Sequence, residues 1–205
     1  MKHTASLFLI LTGLVCGLQA AGDPSRYVDE KTGFIYPAAI GQALFQNHHA
    51  YDDPRLGYSV RYTSGDWNRI DVYYYDKGLP AVPEGCESPL MTLEMKAVMA
   101  EIRTMEKLGR YNQVNVLETG IRPDGSGNKG FLWLKISLLD KSSSGAWEGR
   151  FSETYLRGYK NGFFKIRLTY QSDHRQEGEE LARNVAETFF RLLNPATNTS
   201  TKPAD

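Results

Sequence analysis

Between residues 149 and 170 the chain reads GRFSETYLRGYKNGFFKIRLTY, two runs of alternating aromatic, branched and polar residues around Asn161-Gly162. Asn-Gly accepts positive φ at both central positions of a turn, so the stretch predicts a tight β-hairpin. With Asn161 and Gly162 as the loop, Tyr159 faces Phe164, Arg157 faces Ile166, Tyr155 faces Leu168 and Glu153 faces Tyr170. One face is then largely apolar, while the other carries Leu156, Thr154 and Phe163 together with Lys165 and Arg167. Side chains alternate strictly across a strand, so this asymmetry marks the side turned to the main core. A chain with such a hairpin is committed to a sheet.

A second hairpin is expected over 57–76. Tyr58, Val60 and Tyr62 alternate with Ser59, Arg61 and Thr63, a turn follows at Ser64-Gly65-Asp66-Trp67-Asn68, and Ile70, Val72 and Tyr74 return. Phe34-Ile35-Tyr36 reads as a short strand ended by Pro37. Further strands are expected over 112–119 and 131–139; in the latter Leu132, Leu134, Ile136 and Leu138 mark the core face, and Phe131, Trp133, Lys135 and Ser137 the other. Between Ile40 and Pro54 no period holds, and Asn47, His48, His49, Asp52 and Asp53 read as a polar loop. Pro123-Asp124-Gly125-Ser126-Gly127-Asn128 reads as another.

Ser88-Pro89 opens a helix, because serine caps orphan amides and proline at the first helical position sacrifices no bond. Met91, Met95, Val98, Ile102 and Met105 form its apolar stripe, Lys96, Arg103 and Lys107 take the opposite side, and Gly109 is a fitting stop. Asp173 and Gln176 resemble a capping box ahead of a second amphipathic helix carrying Leu181, Val185, Phe189 and Leu192, which Asn194-Pro195 ends. Sequential hairpins with two such helices predict an α+β fold: an antiparallel sheet of about six strands covered by both helices.

At 205 residues there is room for one domain beside flanking segments. Lys2 and His3 followed by an apolar run to Leu18 have the layout of an export signal, cleaved after Leu18-Gln19-Ala20. The expected organisation is a signal peptide over 1–20, an N-terminal segment with a short strand and loop over 21–54, one α+β domain over 55–194, and a disordered tail over 195–205 with nothing to bury. The apolar run is short for a membrane span, and Gly13-Leu14-Val15 matches poorly the small residues that precede a lipidated cysteine such as Cys16. A periplasmic or secreted location follows, with no integral span after signal removal. The formal net charge of +0 supplies no field to attract nucleic acid or an anionic membrane. Asn198-Thr199-Ser200 forms a glycosylation sequon, which in such a tail reads as chance.

With Cys16 in the signal, Cys86 is left as a lone thiol whose acidic neighbours Glu84 and Glu87 disfavour a thiolate; it reads as an inert loop residue, with an intermolecular bridge or a reactive nucleophile as the other readings. His48-His49 beside Asp52 and Asp53 invites a metal, yet neighbouring side chains seldom point at one ion. Met91, Met95 and Met99 recur at one-turn intervals and suit soft Cu(I), or simply fill an irregular helix-to-sheet interface. No Gly-x-Ser-x-Gly, His-Glu-x-x-His or phosphate-binding glycine loop is present, and the carboxylates are scattered. No cofactor is expected.

Trp133, Lys135, Lys165 and Arg167 are the expected ligand- or partner-binding residues, on the premise that the 131–139 strand neighbours the second strand of the 149–170 hairpin and turns Trp133 and Lys135 to the same side. Cations flanked by aromatic rings receive anionic groups, and guanidinium offers a forked donor. The alternative is lysine and arginine stems packed on the first helix with their heads in water.

Gly57-Tyr58-Ser59-Val60-Arg61-Tyr62-Thr63-Ser64-Gly65-Asp66-Trp67 resembles the opening strand and tryptophan turn of the PsbP/Mog1-like group, although Thr63 stands where that group commonly has proline. The closing hairpin and helix are similar too, so the likeness spans 55–194 in layout. LGYSVRYT and FFKIR also resemble strands of uncharacterised exported proteobacterial proteins. The resemblance implies an α/β/α sandwich and, from the better-known members, a non-catalytic role in protein assembly or binding; no functional residue carries over. The expected function is an exported, non-catalytic binding or assembly module of the cell envelope, meeting an envelope protein or a small anionic ligand. A periplasmic enzyme with an unrecognised site, or a copper-binding protein, is the alternative.

Overall fold

A computed structural model of the chain describes residues 27–123, 129–142 and 144–194. The expected signal peptide with Cys16, most of the loop after Pro123, and the tail with its sequon lie outside the described residues. Among those described, the elements run β1 (Tyr27–Val28), β2 (Ile35–Tyr36), β3 (Ala39–Ile40), β4 (Ala43–Ala50), β5 (Tyr58–Thr63), β6 (Asn68–Tyr75), α1 (Pro89–Lys107), β7 (Tyr111–Pro123), β8 (Lys129–Lys141), β9 (Trp147–Tyr159), β10 (Gly162–Gln171) and α2 (Arg175–Leu193). Eight strands form one antiparallel sheet in the order β3-β4-β5-β6-β10-β9-β8-β7, and β1 and β2 pair separately.

The α+β sandwich is as expected, but its sheet is wider than six strands. The addition comes from β3 and β4, the segment read as a polar loop. A bulge between Phe45 and Asn47 shifts the side-chain phase of β4 midway, so its eight residues show no single alternation.

The closing hairpin forms with a register displaced by two residues. Phe164 lies opposite Arg157, Ile166 opposite Tyr155 and Leu168 opposite Glu153. A displacement of two keeps every side chain on its predicted face. The turn residues are Lys160 and Asn161, at φ 44° and 64°, and Gly162 is already in the strand. Gly162 serves another purpose there: a Cβ would stand 2.5 Å from the Tyr74 ring, whose hydroxyl donates to the Lys160 carbonyl at 2.7 Å. The glycine lets Tyr74 close over the turn.

Each face of the sheet is covered by one helix. Ser88 caps α1 by accepting from the Met91 amide, and Gly109 at φ 70° follows its end. Met91, Met95, Val98 and Ile102 pack with Leu134, Ile136, Leu138, Leu156 and Phe163. Met105, predicted on the same stripe, is exposed because it borders an open space between α1 and the sheet rather than packed side chains. The other face buries Val60, Val72, Tyr155, Ile166 and Leu168 beneath Leu181, Val185 and Phe189 of α2. A 3-10 turn at Ser172–His174 leads into α2, which starts without a side-chain cap, so the Asp173–Gln176 capping box does not form.

Candidate functional site

Two antiparallel registers in series decide where the four expected binding residues point. Trp133 pairs with Tyr155 and Lys135 with Glu153, and on the far side of β9 these meet Ile166 and Leu168. Trp133 and Lys135 therefore lie on the α2 face. Lys165 pairs with Leu156 and Tyr73, and Arg167 with Thr154 and Asp71, which places both on the α1 face. The four do not form one patch: β9 separates β8 from β10, and its register sends the two pairs to opposite sides.

On the α2 face, Trp133 and Lys135 belong to a network around Glu153. The Glu153 carboxylate accepts from Trp133 Nε1 at 3.0 Å, Tyr155 Oη at 2.7 Å and Tyr170 Oη at 3.0 Å, with Lys135 Nζ at 3.5 Å and Arg122 at 3.8 Å. Lys135 also reaches Glu179 of α2 at 2.8 Å, and Arg122 stacks 4.0 Å over the Trp133 ring. Burial, reinforced by Glu153, pushes the Tyr155 and Tyr170 hydroxyls well up, so both remain donors. A carboxylate so fully engaged ties β7, β8, β9 and β10 together, and the network reaches α2 through Lys135 to Glu179 and Tyr155 to the Ala182 carbonyl. The carboxylate has little lone-pair capacity left for a substrate.

Lys165 and Arg167 instead face an open recess of about 260 Å³. Its floor is Tyr73, Thr154 and the two cations; α1 supplies Val98, Glu101, Ile102 and Met105 as a wall, and Tyr111 closes one side. A smaller recess of about 170 Å³ adjoins it, sharing Tyr73, Glu101 and Lys165. The Lys165 ammonium rests 4.5 Å from the Tyr73 ring centre and 5.1 Å from that of Tyr75. Arg167 donates to Ser152 Oγ at 3.2 Å and Tyr111 Oη at 3.4 Å.

The charge balance sets these two apart from the cations around them. Nearby cations are matched by carboxylates: Lys77 by Glu94 at 2.6 Å, Arg61 and Arg69 by Asp71 at 2.7 and 3.0 Å, and Arg150 by Glu148 at 2.7 Å. Among the described residues no carboxylate comes within ion-pair distance of Lys165 or Arg167. Burial lowers the Lys165 pKa, offset in part by the more distant Glu101 and Glu94. Ring faces hold the ammonium in place without neutralising it.

The two metal readings meet specific geometry. His48 and His49 lie on consecutive positions of β4 and face opposite sides: His48 stacks on Tyr27 at 3.9 Å, His49 meets the edge of Tyr51 at 4.9 Å. Met91 and Met95 are buried against the sheet. Among the described residues no group of three or more His, Cys, Asp or Glu stands close enough to hold a metal ion. Cys86 is buried, beside the Gly85–Gly158 bridge.

Lys165 and Arg167 were legible as alternating cations on the wetter face of the hairpin. The tyrosines that frame them were not singled out, although Asp71, Tyr73 and Tyr75 alternate on the same face of β6. Glu153 also carried a signal, as the one carboxylate on the largely apolar face of the hairpin.

No family model matches the sequence, and no curated protein does. Solved structures similar to it include cyanobacterial PsbP (CyanoP) from Synechocystis sp. PCC 6803, at 12% identity over 90% of this chain and 98% of that one, with a TM-score of 0.42. Protein PA94 of Pseudomonas aeruginosa, described as of unknown function, is 10% identical over 80% and 94%, with a TM-score of 0.40. The Ran-binding protein Mog1p of Saccharomyces cerevisiae is 10% identical over 78% and 84%, with a TM-score of 0.36. PsbP and Mog1p name the fold group that the GYSVRYTSGDW strand and turn resemble. At these identities and scores nothing about ligand or partner transfers to this chain.

Proposed function

We propose that this chain is an exported, non-catalytic binding module of the cell envelope, and that it receives an anionic group, carried by a partner protein or a small ligand, between Lys165 and Arg167. The observation that carries this reading is a pair of cations without carboxylate partners at ion-pair distance among the described residues, floored by tyrosine and walled by Val98, Ile102, Met105 and the more distant Glu101. An incoming carboxylate or phosphate meets a forked guanidinium donor and an ammonium whose desolvation is already part of the folded state. The apolar part of the wall, Val98, Ile102 and Met105, selects an anion with a hydrocarbon flank over a bare ion. Export rests on the layout of the first twenty residues. Among the described residues no helix is long and apolar enough to cross a membrane.

Titrating the intact chain with hexanoate and with inorganic phosphate, followed by the ring signals of Tyr73 and Tyr111, tests the site. Hexanoate is expected to bind more tightly than phosphate, by about ten-fold for two or so buried methylenes. Lys165→Gln with Arg167→Gln is expected to abolish both responses while leaving the free protein's thermal midpoint unchanged or raised, since a desolvated cation is removed. A double variant that binds like the parent means the recess is idle. One that unfolds makes the two residues structural.

A further inference from the structure

β7 is the outer strand of the eight-stranded sheet, so one side of its backbone has no strand partner among the described residues. Against β8 its register breaks between Asn112 and Asn115, Val116 and Glu118, and Arg122 and Pro123, which leaves a regular run over 118–122 centred on Gly120. Glycine inside a strand ordinarily marks a bulge or a close approach of other atoms. Gly120 has neither: it lies in the regular run opposite Trp133, and a Cβ built on it meets nothing within 4 Å. Thr119 Oγ1 donates to the Trp133 carbonyl at 3.2 Å, which turns that carbonyl toward β7 and Gly120. The backbone groups of Thr119 and Ile121 then face outward.

We propose that two copies of this chain pair edge to edge through β7, antiparallel about a two-fold axis at Gly120, joining their sheets. In that register Thr119 and Ile121 of the two copies exchange the outward backbone bonds. Gly120 meets Gly120 in a narrow, non-hydrogen-bonded pair, where Cα atoms approach to about 4.5 Å and the missing side chains leave the backbones free to close. Glu118 lies across from Arg122 of the second copy, twice over by symmetry. The charges choose this axis: centred on Glu118 or Arg122 the pairing sets like charges face to face, and centred on Thr119 or Ile121 it sets them against glycine. Exposed Val116 (47%) and Ile121 (42%) add apolar surface along the same edge. So short a ladder makes a small interface and a reversible dimer.

Sedimentation velocity of the full chain over a concentration series tests this, and a reversible dimer is expected. Glu118→Arg, at an exposed site, is expected to weaken it by about ten-fold or more through two like-charge contacts. Ile121→Pro removes the outward N–H and is expected to leave a folded monomer. Gly120→Cys, in a Cys16→Ser background with Cys86 buried, is expected to form an intermolecular disulfide on mild oxidation. If Ile121→Pro fails to fold by circular dichroism, the charge reversal and the cross-link decide the matter. A monomer at every concentration, a dimer indifferent to Glu118→Arg, or a Gly120→Cys chain that does not cross-link overturns the proposal.

Discussion

Replacing Glu153 with leucine is expected to cost about 3 to 5 kcal/mol of stability, measured by urea unfolding. The leucine fills much the same volume, so the loss is electrostatic rather than a cavity. It leaves two buried donors, on Trp133 and Tyr170, with no acceptor and Tyr155 with only its 3.4 Å bond to the Ala182 carbonyl, and it takes from Arg122 its nearest counter-charge and from Lys135 one of two. Glu179 still holds Lys135 at 2.8 Å, which keeps the cost from rising further. Glu153→Gln retains one carbonyl oxygen and is expected to cost roughly half as much, because some of the donors stay satisfied. A Glu153→Leu loss below about 1 kcal/mol would show that the network contributes little to holding β7, β8, β9 and β10 together.

Ile102→Ala is expected to cost about 2 to 5 kcal/mol, the range for truncating a large aliphatic side chain in a packed core. Ile102 is 3% exposed, on the α1 stripe that packs against Leu134, Ile136 and Leu156. Leu93, on the same helix, is 60% exposed, and its replacement by alanine is expected to change stability by no more than about 0.5 kcal/mol. Equal costs at the two positions would mean that α1 does not sit on the sheet by the predicted face. Ile102 also lines the recess, so its alanine variant is expected to weaken hexanoate binding more than phosphate binding.

These contrasts show which parts of the molecule could be read from its residues. Both helices, the two hairpins and the faces of their strands follow from periodicity, because each element buries one stripe and a register displaced by two preserves it. The turn of the closing hairpin was misplaced because Asn-Gly suits a turn on local grounds, whereas Gly162 answers to a distant ring, that of Tyr74. β4 escaped for the reason that bulges generally do: one inserted residue erases the alternation. The candidate site was half legible. The nearness of Lys165 to Arg167 is local, two positions along one strand. Whether Trp133 and Lys135 join them depends on two long-range registers and on β9 lying between, which no pattern within β8 or β10 encodes.

The anion site is tested at its core by the charge state of Lys165, followed through the Nζ and Cε chemical shifts of the intact protein against pH, with and without hexanoate. Burial holds the folded-state pKa below the ordinary lysine value, so between the two the unfolded chain binds the extra proton. In the free protein this residue therefore opposes folding while it is charged, and the penalty is relieved as pH rises through the folded pKa toward the unfolded one. An anion seated between Lys165 and Arg167 favours the charged form and moves the titration back up. Lys165 is expected to titrate below the exposed lysines and to shift upward on adding hexanoate. A Lys165 that titrates with the exposed lysines, or one that hexanoate leaves in place, contradicts the site.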